Sequence, residues 1–301
     1  MRYCYRLIIL LTLLFSSGTY AAFGIFLDAL DWRPTETNDW VYNNSETLPK
    51  QSVTYKTIDF NYAPGFRIGI THQGEWDGLL SLTHLYASTN DSAIGHLQPS
   101  FLGSVTAKPF PPGTYLYQSG QVRQTIYYNI IDANIGKSFS PAAFVTLQPI
   151  VGLMGGWINQ RIYAAYQGST STREKITNNF EGIGPKIGLN TAIHLFNCYE
   201  YEPNVIVGFA ASYQFGDWSI SDVTTVTPPT TVNVLGANHK MGALTLQGLL
   251  GLELKHKKLS VKLAYEINEW FDQFQIFDND TGAHNNDLVL QGLTVGIAYD
   301  F

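Results

Sequence analysis

The chain has 301 residues, of which 14% are charged and 14% are aromatic, and its formal net charge is −6. A soluble domain usually has about a quarter of its residues charged, and an acidic chain without a basic cluster argues against a nucleic-acid partner. After residue 21, no apolar run approaches the roughly 18 residues that mark a membrane helix.

The first residues have the three parts of a secretory signal peptide. Arg2 and Arg6 precede a short apolar run, and small residues follow it. The run is too short to span a bilayer as a helix, and a buried first helix is the alternative. We expect cleavage after Ala21, with Ala22 as the alternative, so that residues 1–21 are the signal peptide and 22–301 form the mature domain. Loss of the two arginines leaves 16 basic residues against 24 acidic ones.

One cysteine stays in the mature chain, because Cys4 leaves with the signal peptide. An odd cysteine in an exported protein is either a free thiol or half of an intermolecular disulfide. Cys198 is therefore a candidate for a bond between two copies.

Many segments alternate apolar and polar residues over about ten positions, which is typical of a barrel strand with a lipid face and a lumen face. The clearest are 57–71, 204–216, 243–255, 259–268 and 292–301. Less regular extended segments are 22–32, 78–89, 122–137, 143–166 and 180–194. These give about ten strands, and twelve stays open. The breaks at Tyr127–Tyr128 and Ile130–Ile131 indicate a bulge or a misplaced boundary.

Long and short connections alternate along the chain. The long ones are 33–56, 90–121, 167–179, 217–242 and 271–286, and the short ones are 72–77, 138–142, 195–203 and 255–258. Outer-membrane barrels have short periplasmic turns and longer external loops. The sequence therefore predicts an all-β, transmembrane, antiparallel up-and-down β-barrel in the bacterial outer membrane, with both termini periplasmic. A soluble β-sandwich is the alternative, but it has no reason to sort its loops in this way.

Alternation also predicts which polar side chains line the pore. They are Asp59, Arg67, Lys186, Asn190, Gln214, Glu253, Lys262 and Glu266. These groups either select ions or pair with one another across the barrel, and both readings stay open. About ten strands is close to the number at which side chains fill a barrel. The inward face is rich in glycine and alanine, which leaves room and favours a narrow channel.

Aromatic residues fall near the predicted strand ends, as expected for girdles at the two membrane interfaces. The outer set is Trp32, Trp40, Tyr86, Tyr163, Tyr166, Trp218, Trp270 and Phe271, and the inner set is Trp76, Tyr199 and Phe301. Core packing is the alternative. No hydrolase, phosphate-binding or metal-ligand motif is present, so we expect neither an enzyme nor a cofactor.

The stretch 292–301, GLTVGIAYDF, predicts a closing strand that carries Tyr299 and Phe301 on its lipid face. Such a strand must pair with the first one to remove both sheet edges. Its aromatic final residue resembles the assembly signal of bacterial outer membrane proteins, and this implies the barrel assembly machinery as a partner.

The stretches DLVLQGLTVGIAYDF (287–301), FEGIGPKIGLN (180–190) and FNYAPGFRIGITHQGEWDGLL (60–80) resemble the Legionella-type major outer membrane protein family, which also occurs in chlamydia-like bacteria. The resemblance covers the mature chain. It implies a porin-like pore and cysteines that link copies at the cell surface. With Cys198 alone in the mature chain, at most one such bond per copy is possible.

We therefore expect a narrow porin-like channel for ions and small polar solutes. The alternative is an adhesin or structural outer membrane protein that acts through its long loops. Outer membrane lipid is the expected partner, and a homo-oligomer and a host-surface contact stay open.

Overall fold

The computed structural model describes residues 22–47, 50–100, 117–196, 200–227, 230–278 and 282–301. The expected signal peptide and Cys198 lie outside these residues. Within the described ranges the chain forms thirteen strands: β1 (Ala22–Thr35), β2 (Asp39–Thr47), β3 (Lys50–Thr57), β4 (Ala63–Gln73), β5 (Asp77–Pro99), β6 (Tyr117–Gly136), β7 (Phe139–Ala142), β8 (Val145–Gly168), β9 (Ser171–His194), β10 (Tyr201–Thr227), β11 (Thr231–His256), β12 (Leu259–Asp278) and β13 (Gly282–Asp300). In this part of the chain no helix is long and apolar enough to cross a membrane.

Ten strands form a closed antiparallel barrel in the order β1-β4-β5-β6-β8-β9-β10-β11-β12-β13. The last strand returns to the first, with a continuous register from Gly24↔Asp300 to Thr35↔Val289. Closure satisfies the backbone groups that an open sheet edge would leave unpaired in lipid. The expected ten-stranded barrel is confirmed, and the hairpin β2–β3 and the short β7 are additional strands.

Three connections that we expected as long loops, 167–179, 217–242 and 271–286, are mostly continued strands instead. Strand β8 runs to Gly168 and β9 begins at Ser171. The segment 167–179 is therefore strand apart from a tight turn between these two residues. Strands β10 and β11 likewise stay paired as far as Val226↔Thr231, which fills most of 217–242. The polar composition of these segments suggested loops, but many of their polar residues lie on the outward face of paired strands.

The barrel has two halves with opposite patterns. In the inner half, which holds the short turns and the chain ends, outward residues such as Val151 and Leu153 are apolar and exposed. In the outer half, which holds the long hairpins, the inward Ile158 and Ile162 are fully buried and the outward Arg161 is exposed. The apolar residues therefore change sides partway along most of the long strands; in β11, Val232 and Val234 stay exposed on the outward face.

This change of side explains the broken alternation in β6. Tyr127 and Ile131 point outward, whereas Tyr128 and Ile130 are buried inside. The register of β6 with β5 and β8 is continuous through this stretch, and its irregularity lies near Tyr117. The interpretation of these breaks as a bulge is wrong, because they mark the level where both faces are apolar.

Five aromatic side chains fill the barrel between the two halves, and we call them the aromatic plug. They are Trp32, Tyr128, Phe180, Trp218 and Trp270, all buried in one hydrophobic cluster. Trp270 donates a hydrogen bond of 3.2 Å from Nε1 to the Tyr128 hydroxyl. The Phe180 ring lies 4.6 Å from Trp218 and 6.1 Å from Trp270, centroid to centroid.

Part of the predicted aromatic girdles is therefore wrong. The buried members of the outer set are Trp32, Trp40, Tyr166, Trp218 and Trp270, all inside the barrel. Their rings fill the outer half of the interior, where lipid does not reach. The exposed members of the two sets are Tyr86, Tyr163, Trp76 and Phe301. Phe271 is half-buried, and Tyr199 lies outside the described residues.

The space beside two inward glycines is occupied by the plug. A Cβ atom at Gly182 or at Gly216 would meet the ring of Phe180. The same holds higher up, where a Cβ at Gly120 would come within about 3 Å of the Trp40 and Tyr166 rings. The small inward residues that suggested free room thus accommodate large neighbours in the outer half.

Candidate functional site

A polar cavity of about 840 Å³ occupies the inner half of the lumen. Its lining begins at the short turns, with Gln73, Gly74 and Ser138, and rises to Trp32 and Tyr128 of the aromatic plug. The cavity therefore enters from the end of the barrel that holds the chain ends and stops at the plug.

A network of four charged side chains lies beneath the plug. Arg67 on β4 makes a bidentate ion pair with Glu266 on β12, with N–O distances of 2.8 and 3.0 Å. Its Nη1 also lies 3.2 Å from Asp28 on β1, whose carboxylate receives Lys262 at 3.0 Å. Bidentate arginine–carboxylate pairs fix the relative orientation of the two side chains and add to the strength of the ion pair. The network holds three strands together and has no net charge.

The guanidinium of Arg67 also contacts the plug. Its Cζ atom lies 5.5 Å from the centroid of the Trp32 ring, within the range of a cation–π contact. Arg67 therefore links the charged network of the cavity to the lowest ring of the plug.

Other charges that line the cavity are also paired. Lys186 on β9 bonds Asp132 on β6, and Glu253 lies 3.4 Å from Lys255. Four cations and five carboxylates, Asp77 included, line the cavity. Because both signs are mixed, this lining forms no ring of one sign, of the kind that selects ions strongly, within the described residues.

Six of the eight predicted lumen residues line this cavity. They are Arg67, Lys186, Asn190, Glu253, Lys262 and Glu266. Gln214 is buried above them, where its Oε1 and the Trp270 ring both lie close to Gly156. The amide of Asn190 donates to Gln148 at 3.1 Å.

The inward placement of Asp59 is wrong. Residues 58–62 lie between β3 and β4 and belong to neither strand. Ile58 and Phe60 are buried in the core, whereas Asp59 between them is exposed. Its backbone carbonyl accepts a hydrogen bond from Thr89 at 2.7 Å. The alternation that predicted an inward Asp59 is interrupted where the hairpin β2–β3 rejoins the barrel.

Buried amide side chains continue upward beyond the cavity. Gln160, Gln214, Asn178 and Gln273 are fully buried, and each has at least one amide atom without a hydrogen-bond partner in the described part of the chain. Buried polar atoms in native proteins are normally hydrogen-bonded, and exceptions often indicate internal water. The interior above the plug is therefore not uniformly apolar.

Three buried carboxyl groups of the described residues lie in the outer half, beyond the membrane-spanning band, and sequence reasoning missed them. Glu36 follows β1 and accepts hydrogen bonds from Gln124 at 2.7 Å and Asn38 at 2.9 Å. Burial raises the pKa of Glu36 to about 7. Burial and the neighbouring Asp222 raise the pKa of Glu174 well above its ordinary value. These residues fell in segments expected to be loops, so no signal pointed inward.

A hydrogen-bond chain ties strands together at the inner rim. His194 on β9 lies 3.0 Å from the hydroxyl of Thr146 through Nε2, and 2.7 Å from Oδ1 of Asn204 through Nδ1. The hydroxyl of Ser140 lies 3.3 Å from Thr146. The partner on the Nδ1 side of the imidazole is the neutral amide of Asn204. It therefore does not supply the carboxylate that orients the histidine in a Ser-His-Asp arrangement.

The closing strand presents its aromatic residues outward. Tyr299 and Phe301 are exposed, and their rings lie 5.4 Å apart in an edge-to-face contact. The backbone N–H of Phe301 donates to the carbonyl of Phe23 at 2.8 Å. The aromatic end thus belongs to the seam between β1 and β13.

Comparison with known proteins identifies one family and several solved barrels. A family model described as Legionella pneumophila major outer membrane protein precursor matches residues 17–301. No curated protein sequence matches the chain.

The similar solved structures include the outer membrane protease OmpT from Escherichia coli. It is 14% identical, with 95% of this chain and 99% of that chain covered and a TM-score of 0.47. A major outer membrane protein from Thermus thermophilus is 11% identical, with 94% and 100% covered and a TM-score of 0.36. The translocator domain of autotransporter NalP from Neisseria meningitidis is 11% identical, with 100% and 95% covered and a TM-score of 0.39. At these values none of the three carries an argument about function.

Proposed function

We propose, since the chain belongs to the Legionella major outer membrane protein family, that it is a narrow porin-like channel which is closed in the described state. It passes ions and small polar solutes when the aromatic plug moves. The main support for this proposal is the polar cavity of about 840 Å³, which enters the lumen and ends at the plug. Unpaired buried amides continue above it, so displacement of a few rings would join two polar regions.

The proposed orientation has the short turns and both termini in the periplasm, as in other outer-membrane barrels. Residues 1–21 are then removed during export, and the cavity opens to the periplasm. The outward apolar residues of the inner half contact outer membrane lipid. The barrel assembly machinery would recognise the closing strand with Tyr299 and Phe301.

We further propose weak ion selectivity. Arg67 and Lys262 are balanced by Asp28 and Glu266 in one network. A passing ion therefore meets paired charges instead of a ring of one sign, and the pairs serve mainly to hold the wall of the lumen.

The test is conductance of the refolded mature protein in a planar lipid bilayer with a salt gradient. The wild type should give rare, small steps with a reversal potential near zero. Trp270→Ala should open more often, because it removes the Tyr128 hydrogen bond and two ring contacts. A loss of about 1.4 kcal/mol from the closed state raises the open-to-closed ratio tenfold.

Tyr86→Ala is the matched control, since it removes an outward aromatic side chain that packs on Tyr127 and not on the plug. Its step frequency should equal that of the wild type. Folded Trp270→Ala protein that gives no steps at any dose would exclude the channel. If Trp270→Ala does not fold, Trp270→Phe replaces it in the test, because it keeps most of the side-chain volume and still removes the hydrogen bond to Tyr128.

The second candidate is a barrel that acts through its outer hairpins as an adhesin or structural protein, without catalysis. It is supported by the packed interior of the outer half, where Phe180 and Trp270 are fully buried. Silent bilayers with a correctly folded barrel would favour this candidate. A homo-oligomer linked through Cys198 would then appear as a dimer that a reducing agent dissociates.

A further inference from the structure

Four cations stand close together on the outward face of β6, β8 and β9, and we call them the basic patch. They are Arg123, Arg161, Arg173 and Lys175, and all are exposed. The register aligns Arg123 with Tyr163 and Tyr163 with Lys175 across the three strands. Directly opposed residues have Cβ atoms about 4.5–5.5 Å apart. The four charges therefore occupy one continuous area of the wall.

No member of the basic patch forms an ion pair within the described residues. Lys175 places its Nζ 5.7 Å from the Tyr163 ring centroid. Two other cations of the outer half are engaged: Arg33 donates to the carbonyl of Phe60 at 2.8 Å, and Lys240 lies 3.6 Å from Asp217. The basic patch thus concentrates uncompensated charge in an acidic chain.

Acidic residues around the basic patch do not offset it. On β6, β8 and β9 the outward acid is Glu181, four residues below Thr177, which pairs with Arg161. Four residues correspond to about 13 Å along a strand. The segments 101–116 and 228–229, which follow β5 and β10 in the chain, contain no Asp or Glu.

The basic patch lies just above the lipid-facing surface. The outward residues of β8 include Val151, Leu153 and Trp157, and Arg161 follows four residues after Trp157. That separation is about 13 Å along the strand and less along the barrel axis, because barrel strands tilt. Arginine and lysine side chains also reach toward the interface. The charges therefore reach the headgroup layer next to the bilayer core.

A groove of about 610 Å³ gives the basic patch a concave form. Arg123, Arg173, Lys175 and Tyr163 line it. Two carboxyl groups also line it. Asp91 is paired with Lys56 at 2.7 Å, and Glu174 is buried, which raises its pKa. The groove is thus positive overall and large enough for more than one phosphate group.

We propose that the basic patch binds the phosphate groups of an outer-leaflet glycolipid. Guanidinium groups match phosphate in a bidentate way, and each cation near an anionic membrane surface contributes roughly 1 kcal/mol. The proposal rests on the orientation given above and does not depend on conduction.

The test is native mass spectrometry of the refolded mature protein in detergent, titrated with bisphosphorylated lipid A and with its dephosphorylated form. The phosphorylated lipid should bind and the dephosphorylated one should not. The double variant R161Q/R173Q should bind about twenty- to thirtyfold more weakly, which is two cations at roughly 1 kcal/mol each. Added salt should reduce the difference.

Lys240→Gln is the matched control, because it neutralises one exposed outer cation outside the basic patch. It should bind as the wild type does. Equal binding of both lipids, an equal loss in the control, or tighter binding of inorganic phosphate alone would overturn the proposal. An epitope inserted at Ser169 tests the orientation on whole cells, and surface labelling supports it. Failure to label intact cells would overturn the lipid site while the conductance result would stand.

Discussion

The two halves of the barrel solve opposite solvation problems with the same strands. In the inner half the exterior meets lipid and is apolar, while the interior holds the charged cavity around Arg67. In the outer half the exterior meets water and carries Arg161, while the interior is packed around Phe180. The outer half thus resembles a soluble barrel. Strand alternation alone therefore does not determine which face lies inside the barrel, because the solvent around each half decides it.

Shortening one side chain in each interior tests how tightly the two halves are packed, and we expect the greatest loss of stability here. Phe180→Ala empties a space bounded by Trp218 and Trp270 in the packed half, and we expect a loss of about 3–5 kcal/mol in unfolding free energy. Leu249→Ala changes a side chain that lines the inner cavity, and it should cost under about 1 kcal/mol. Denaturant unfolding in lipid vesicles measures both. Equal losses would mean that the two interiors are equally packed.

Placing an arginine on the outward face of each half compares how the two exteriors tolerate a charge. Val295 lies on the lipid face of β13, and Val295→Arg should cost about 2–4 kcal/mol near the bilayer midplane. Ser219 is outward and exposed on the outer part of β10, so Ser219→Arg should change stability by less than about 0.5 kcal/mol. The same vesicle unfolding experiment compares them. A large cost at Ser219 would extend the lipid-facing band into the outer half.

The smallest effect is a dependence of the outer half on pH. The folded pKa of Glu36 is about 7, raised by burial from 4.5. A raised carboxyl pKa gives stability that is fully present below pH 4.5 and is lost as pH rises through 7. The pKa of Asp222, raised to about 6 by burial, acts in the same direction. We expect a loss on the order of 1–3 kcal/mol between about pH 4.5 and 8.

Hydrogen exchange of outer-half amides, corrected for intrinsic rates, measures this loss. Glu36→Gln should reduce the pH dependence to the part that Asp222 contributes, because the amide stays neutral. Glu75→Gln, at an exposed inner turn, is the control and should leave it unchanged. An outer half that becomes more protected as pH rises would contradict the expected sign.

The inner half was predictable from the sequence because its lipid face is predominantly apolar, with the hydrogen-bonded pair His84–Asn129 as an exception. The segment 259–268 has Leu259, Val261 and Leu263 outward and Lys262 and Glu266 inward, as alternation alone indicates. The order of strands followed in the same way from the short turns between them. These features depend on neighbours along the chain or on one uniform solvent.

The outer half was not predictable because the orientation of its side chains depends on contacts with residues far away in the sequence. Trp218 and Trp270 sit where an interfacial girdle would lie, and only the ring of Phe180 from β9 shows that they are inside. Asp59 fits the alternation of the residues around it, but residues 58–62 belong to no strand. The alternation therefore does not tell which way the Asp59 side chain points. The inward turn of Glu36 likewise depends on Gln124, 88 positions away.

The basic patch also constrains the order of events during assembly. A lysine or arginine on the outward face of a barrel costs roughly 2–4 kcal/mol at the bilayer midplane. In the proposed orientation, Arg123, Arg161, Arg173 and Lys175 must all reach the far side. A preformed outer half would carry this charge through hydrocarbon on a fixed wall. The paired strands β5–β6 and β8–β9, which carry these charges at their outer ends, must therefore cross before their inward faces are packed. The core around Phe180 is then a late product of insertion, completed only when the polar wall already stands beyond the membrane.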